Sequence, residues 1–266
     1  MAALADALML LLWVGVTAST TVDLQKRIIG GQPCERQYHV KLRGVAAGRS
    51  SSLCGGSLIS DRWILTAAHC LNPKRTMFAN VSVHPGGPAQ EVQITAEPVI
   101  YTDKDKNNNS RSHDLMLLQL PGPSNIQPVA LPDCGDHPKK VEVAGHAATT
   151  GGPKDERKRG VSPTLQCAEV DVVSCDDLEN SVKTNFPQVY QVKVYQHWFC
   201  GQSARKDICY GDSGGGVVNQ GKIYGVISFL GDPNKVCTKA AAFMDLCNRE
   251  YATWVRETIE IKMSPV

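Results

Sequence analysis

Gly211-Asp212-Ser213-Gly214-Gly215 sets a hydroxyl between glycines and beside a carboxylate. Two other stretches stand far upstream of it, Thr66-Ala67-Ala68-His69-Cys70 and His113-Asp114-Leu115-Met116-Leu117-Leu118. A serine hydroxyl is a poor nucleophile at neutral pH. It needs an imidazole within hydrogen-bond reach and a buried carboxylate that fixes the imidazole tautomer. His69, Asp114 and Ser213 offer a base, a base-orienting carboxylate and a nucleophile. Each motif taken singly has an ordinary structural reading, a core histidine or a turn. Together, in the order His, Asp, Ser, they point to hydrolysis through an acyl-enzyme. A lipase-type esterase would place its serine in GxSxG and its histidine last, and here the histidine comes first.

The chain has 266 residues and a formal charge of +2 from 28 basic and 26 acidic residues. That length carries one large all-β unit or two small ones around a common interface. The signs are mixed along the chain, so no field builds up that would attract nucleic acid or an anionic membrane. Residues 7–18 are nearly continuous apolar sequence ending in Val16-Thr17-Ala18, which reads as a secretory leader with a small-residue cleavage site, although Asp6 stands where a positive charge is usual. The run falls short of the about 20 apolar residues that span a bilayer. Ten cysteines without metal-ligand spacing indicate disulfides and an oxidising compartment, with the connectivity open.

Short apolar runs bounded by Gly, Pro and Asn read as strands at 57–60, 63–66, 91–94, 115–120, 170–173, 217–218 and 223–228, the pattern of a barrel or sandwich. Helical periodicity is concentrated after Asn248, where Tyr251, Trp254, Val255 and Ile259 recur on one face. Two polar loops are expected at 103–111 and 151–160. The second carries Lys154-Asp155-Glu156-Arg157-Lys158-Arg159, which reads as a solvated charge run, or else an exosite or self-cleavage site. The segment 121–132 is a candidate crossover between halves, with His69 and Asp114 before it and Ser213 after. Asn80 and Asn108 begin glycosylation sequons with loop placement expected. No acidic cluster follows Cys70 of the kind calcium requires, and neither a metal nor a cofactor is expected.

These motifs, with Arg27-Ile28-Ile29-Gly30-Gly31 upstream, resemble the chymotrypsin/trypsin family of secreted serine proteases, in its trypsin- or kallikrein-like branch, from about residue 28 to 261. The resemblance implies an all-β fold of two packed six-stranded antiparallel β-barrels with a C-terminal α-helix. It implies a signal peptide over 1–18, an activation propeptide over 19–27 and a protease domain over 28–266. It further implies five disulfides: Cys34 with Cys167, Cys54 with Cys70, Cys134 with Cys247, Cys175 with Cys200, and Cys209 with Cys237. The backbone amides of Gly211 and Ser213 would form the oxyanion hole, and Ser228 would help hold the Asp114 carboxylate. Cleavage between Arg27 and Ile28 would free an amine that pairs with Asp212 and orders the Gly211 region. His113 replaces the family's common Asn and is read as a bystander.

In the primary pocket the resemblance implies Asp207 at the base, facing a substrate Arg or Lys. Ile208 removes a hydroxyl donor often found beside it. Leu230 and Ala241 stand where the family usually has glycine, and their side chains would narrow the slot. His146 and Ala147 replace the family's usual Trp-Gly. The expected partners are protein or peptide substrates, an activating protease and protein protease inhibitors, with the chain itself a monomer. The competing reading is a weak or autoinhibited protease homologue that binds partners through its loops.

Overall fold

A computed structural model of the chain describes residues 28–46, 51–81, 90–148 and 150–261. The expected leader and the expected propeptide, Arg27 included, lie outside the described residues. After the two-residue β1 (Gln32–Pro33), the first half holds β2 (His39–Val45), β3 (Ser51–Leu58), β4 (Trp63–Thr66), β5 (Thr76–Val81), β6 (Gln90–Gln93), β7 (Val99–Lys104) and β8 (Ser110–Gln119). They form one antiparallel sheet in the order β6-β5-β2-β3-β4-β8-β7.

The second half holds β9 (Lys140–Gly145), β10 (Gln166–Val173), β11 (Trp198–Gln202), β12 (Gly216–Asn219), β13 (Lys222–Phe229) and β14 (Ala241–Asp245). Here β9 pairs with both β10 and β12, so the six strands close into a barrel, and β1 adds to β10 from outside. The expectation of two closed six-stranded barrels is met by the second half only. Among the described residues the two end strands of the first sheet, β6 and β7, do not pair with each other. Gln90, Glu91 and Gln93 of β6 are exposed polar residues, Glu91 accepting from Arg43 Nη2 at 2.8 Å, so this edge presents little apolar surface to cover.

Strand alternation explains how the halves join. In β8 every residue from His113 to Leu118 is buried, against the usual in-out pattern of a sheet with one wet face. Met116 and Leu118 point into the first half's own core with Leu42, Leu58 and Ile64. Leu115 and Leu117 point the other way, into a cluster shared with Trp63, Leu65, Val226, Tyr251 and Val255. That cluster is the seam between the halves. The segment 121–132 stitches the seam through its backbone, with the Val129 N–H donating to the Leu58 carbonyl and the Ile223 N–H donating to the Ala130 carbonyl, both at 2.9 Å.

The C-terminal α3 (Arg249–Ile261) lays Tyr251 and Val255 into the seam at i and i+4 spacing. The Asn248 side chain accepts from the Glu250 and Tyr251 amides and caps its start. Two further helices were not anticipated from the sequence, α1 (Asp176–Asn185) and α2 (Pro187–Lys193). The first has Asp176, Asp177 and Glu179 in its first turn, where the helix dipole favours negative charge, and buries Leu178 and Val182. The second begins on Pro187, whose missing N–H costs nothing there.

The expected loop at 103–111 is the tip of a β-hairpin between β7 and β8. Asp105 accepts from the Asn107 and Asn109 amides and closes the turn, and exposed Asn108 sits in it at φ 64°. Asn80 lies half-buried within β5, in a strand where a loop was expected.

Candidate active site

His69 sits in a one-turn 3-10 helix directly after β4. The disulfide from Cys54 on β3 to Cys70 anchors that turn. Closing so short a loop contributes about 3 kcal/mol. Asp114 projects from β8, the strand next to β4. Its Oδ1 accepts the His69 backbone N–H at 2.9 Å, and its Oδ2 lies 2.9 Å from His69 Nδ1. The Asp114 backbone N–H donates to Gln196 Oε1 at 3.0 Å. Burial opposes ionisation of Asp114, but the His69 hydrogen bond and the charges of His69 and Lys193 outweigh it and hold the carboxyl far below the usual range.

Ser213 comes from the second half, on the loop before β12. Its carbonyl accepts the Gly55 N–H of β3 at 2.7 Å, a direct backbone bridge between the halves. The approach is close enough that a Cβ at Gly214, which has φ +81°, would lie 2.2 Å from Thr66 Oγ1 and 2.5 Å from the Gly55 carbonyl oxygen. Gly211 adopts φ +112°, open to glycine and costly to other residues. The Asp212 N–H donates to the Cys209 carbonyl and the Gly214 N–H to the Ile227 carbonyl, which fixes the chain on both sides of Ser213. His69, Gly211 and Ser213 line one cleft of about 580 Å³.

Ser228 Oγ hydrogen-bonds Asp114 Oδ2. A third partner of that oxygen, after His69 and Ser228, was not anticipated from the sequence. Lys193, the last residue of α2, places its Nζ 2.8 Å from Asp114 Oδ2 and 3.0 Å from Ser228 Oγ, with its side chain 14 % exposed. A lone lysine at the end of a polar segment carries no sequence signal of such a role. His113 is buried away from the cleft, its Nδ1 2.5 Å from the Tyr251 hydroxyl and its Nε2 3.2 Å from Asp103, so it fastens β8 to α3.

Asp212 is fully buried. Its Oδ1 accepts the Ala147 N–H at 2.9 Å and its Oδ2 the Cys209 N–H at 2.8 Å. Burial pushes its pKa up to about 7 although both amides favour the ionised form. Ile28 is completely buried in the second barrel's core with Val143, Ile208 and Ala241. Ile29 forms a β-bridge with Asp207.

Asp207 is 6 % exposed, and its Oδ2 accepts from Arg157 Nη2 at 2.6 Å and from the Cys237 N–H at 2.7 Å. Burial pushes its pKa up, and the Arg157 charge is the largest influence opposing that. Asp207, Ile208 and Ala241 line a cavity of only about 10 Å³. Leu230 packs against the cluster containing Ile208 and Ala241.

The loop 151–160 departs from its sequence reading. Arg157, expected in a solvated charge run, has a side chain only 1 % exposed. Residues 155–157 run beside 234–236, through the Arg157 N–H to the Asn234 carbonyl at 2.7 Å and the Val236 N–H to the Asp155 carbonyl at 3.0 Å. Apolar periodicity cannot reveal a buried arginine, because its burial depends on an acid 50 residues away.

Four of the implied disulfides are present: Cys34–Cys167, Cys54–Cys70, Cys134–Cys247 and Cys175–Cys200. Cys209 and Cys237 pack in one cluster but are not bonded to each other, which corrects the expected fifth pair. The loop 151–160 engages both sides. Cys209 Sγ lies 3.3 Å from the Lys158 carbonyl oxygen, and the Cys237 amide is held on Asp207 beside Arg157.

The family model described as Trypsin matches residues 28–255. The chain is 29% identical to kallikrein-8 of Mus musculus over 264 residues, covering 95% of this chain and 94% of that protein. It is 32% identical to trypsin-4 of Rattus norvegicus over 265 residues, covering 93% and 96%. Its fold matches neuropsin, a serine protease expressed in the limbic system of mouse brain, with TM-score 0.63 and 30% identity over 86% of this chain and 98% of that one. A scabies mite inactivated protease paralogue shares the fold with TM-score 0.68, at 20% identity over 90% of this chain and all of the other.

Proposed function

Because the chain belongs to the trypsin family of serine endopeptidases, we propose that it is a secreted zymogen, released by cleavage between Arg27 and Ile28, that hydrolyses peptide bonds after Arg or Lys through an acyl-enzyme on Ser213. Residues 1–18 are its leader, 19–27 its propeptide and 28–266 its protease domain. The observation that carries this reading is the buried Asp114 carboxylate on His69 Nδ1, with His69 and Ser213 on one cleft. Asp114 fixes the tautomer in which Nε2 is the basic nitrogen. His69 takes the proton from Ser213 Oγ as it attacks the substrate carbonyl, then gives it to the leaving amine. The amides of Gly211 and Ser213 stabilise the oxyanion.

In this reading the freed Ile28 amine turns inward and pairs with Asp212, and two features favour it. Ile28 already lies in the second barrel's core, and Asp212 is a buried carboxylate at the root of the Gly211–Ser213 loop. Basic specificity draws support from Asp207, whose buried carboxylate holds a guanidinium at 2.6 Å. Asn108 at the exposed hairpin tip suits a glycan. Among the described residues no helix is long and apolar enough to cross a membrane.

To test this, the purified full chain is cleaved after Arg27 and offered peptide substrates ending in Arg, Lys, Val, Leu and Phe. We expect hydrolysis to appear only after cleavage, to favour Arg over Lys and to vanish in Ser213→Ala. Turnover confined to Val, Leu or Phe would refute the basic pocket, and turnover that survives Ser213→Ala would refute the acyl-enzyme.

A further inference from the structure

Arg157 is held as a bound ligand would be. Its Nη2 meets Asp207 Oδ2 at 2.6 Å, its Nη1 donates to the Ile208 carbonyl at 2.5 Å and its Nε donates to the Asp232 carbonyl at 2.5 Å. One charge-assisted bond and two carbonyl acceptors thus surround a guanidinium whose side chain is 1 % exposed. The Asp232 carboxylate braces the wall by accepting from the Asn234 and Lys235 amides and the Thr238 hydroxyl. The Asp207 side chain is itself only 6 % exposed, so with Arg157 seated its Oδ2 presents no open face to a second guanidinium. The loop delivering Arg157 continues into the catalytic cleft, where Arg159, Gly160 and Val161 form part of the lining. Arg159 also stacks over the Tyr210 ring, 5.2 Å from its centre.

We propose that Arg157 is a specificity-determining residue that fills the guanidinium site of the primary pocket as an internal ligand, so that the basic side chain of a substrate binds only by displacing it. The proposal rests on the reading of Asp207 as the base of that pocket. A buried carboxylate already held by one guanidinium at 2.6 Å pairs with a second only when the first leaves. The apparent affinity for a basic side chain is therefore reduced by the fraction of molecules in which Arg157 is out. Substrates that also grip the cleft beside the 159–161 segment are favoured over small basic compounds, because only they add binding energy to offset the displacement.

The probe is benzamidine, a planar aromatic cation that reaches the pocket acid without requiring catalysis. Its binding is measured by calorimetry on the full chain and again after cleavage following Arg27, in a Ser213→Ala background that prevents self-digestion. Arg157→Gln is expected to bind benzamidine at least about 10-fold more tightly than the parent. Arg157→Lys, which keeps the charge and loses the fork that reaches the two carbonyls, should fall between them. Equal, measurable affinity in all three would overturn the proposal and leave the basic-pocket reading standing. No binding to any of them would overturn both. Should Arg157→Gln fail to fold, hydrogen exchange on the parent decides the matter. Benzamidine that binds and deprotects the Arg157 and Val236 amides supports displacement, and benzamidine that binds with those amides still protected refutes it.

Discussion

Asp114→Asn is expected to lower kcat of the chain cleaved after Arg27 by about 10⁴ with little change in KM, a magnitude carried over from the same substitution in the family's reference protease. The amide presents an N–H or a neutral oxygen to His69 Nδ1, where a buried carboxylate now sits at 2.9 Å. The imidazole then turns its proton toward Ser213 and stops being a base. This chain adds a feature of its own. Lys193 Nζ lies on the same carboxylate oxygen as the imidazole. The imidazolium formed during reaction shares its counter-charge with an ammonium, so Lys193→Met should raise kcat severalfold, opposite in sign to Asp114→Asn. Steady-state kinetics on the two variants would count against the proposed pairing if Asp114→Asn cost less than about 10-fold.

Asp212→Asn should remove nearly all turnover from the cleaved chain, by about 10² to 10³, the loss expected when an oxyanion-hole donor is misplaced. The triad residues stay in place, but the Gly211 region loses the charge that a freed Ile28 amine would meet. The same variant separates this switch from simple instability through its pH dependence before cleavage. Asp212 has a folded pKa raised to about 7 by burial. An acid with a raised pKa holds a proton in the folded state that the unfolded chain has released. Its stabilising effect is complete below the unfolded carboxylate pKa and is lost as pH rises through 7, on the order of 4 kcal/mol. The uncleaved parent should therefore lose stability in denaturant titrations between pH 4 and 8, and Asp212→Asn should show a flatter profile. Near-normal turnover in the cleaved variant would contradict the switch.

Where alternation and turn residues report burial locally the strands were legible, and β4, β6, β12 and β13 fall within a residue or two of their expected bounds. By contrast, β8 begins five residues early, and β2, β5, β7, β9, β11 and β14 were not read from the sequence. The helical stripe of Tyr251, Trp254, Val255 and Ile259 likewise reports the seam it packs against. Helices α1 and α2 went unseen although Pro187 and the acids after Cys175 are start signals. Their exposed residues, Val189 and Val192 among them, blur the amphipathic pattern. At the site, motif residues could be named because their chemistry constrains their type. Lys193 and Arg157 could not, since an ion pair with a residue 79 or 50 positions away leaves no trace in local sequence. Closure of the first sheet depends on whether edge strands meet, which neither strand's own sequence dictates.

The most direct measurement is covalent labelling of the chain cleaved after Arg27 with a fluorophosphonate, followed by mass spectrometry of its peptides. The account predicts one modified residue, Ser213, and loss of the label in His69→Ala. A label at another residue, or one on Ser213 that persists undiminished without the His69 imidazole, would contradict it.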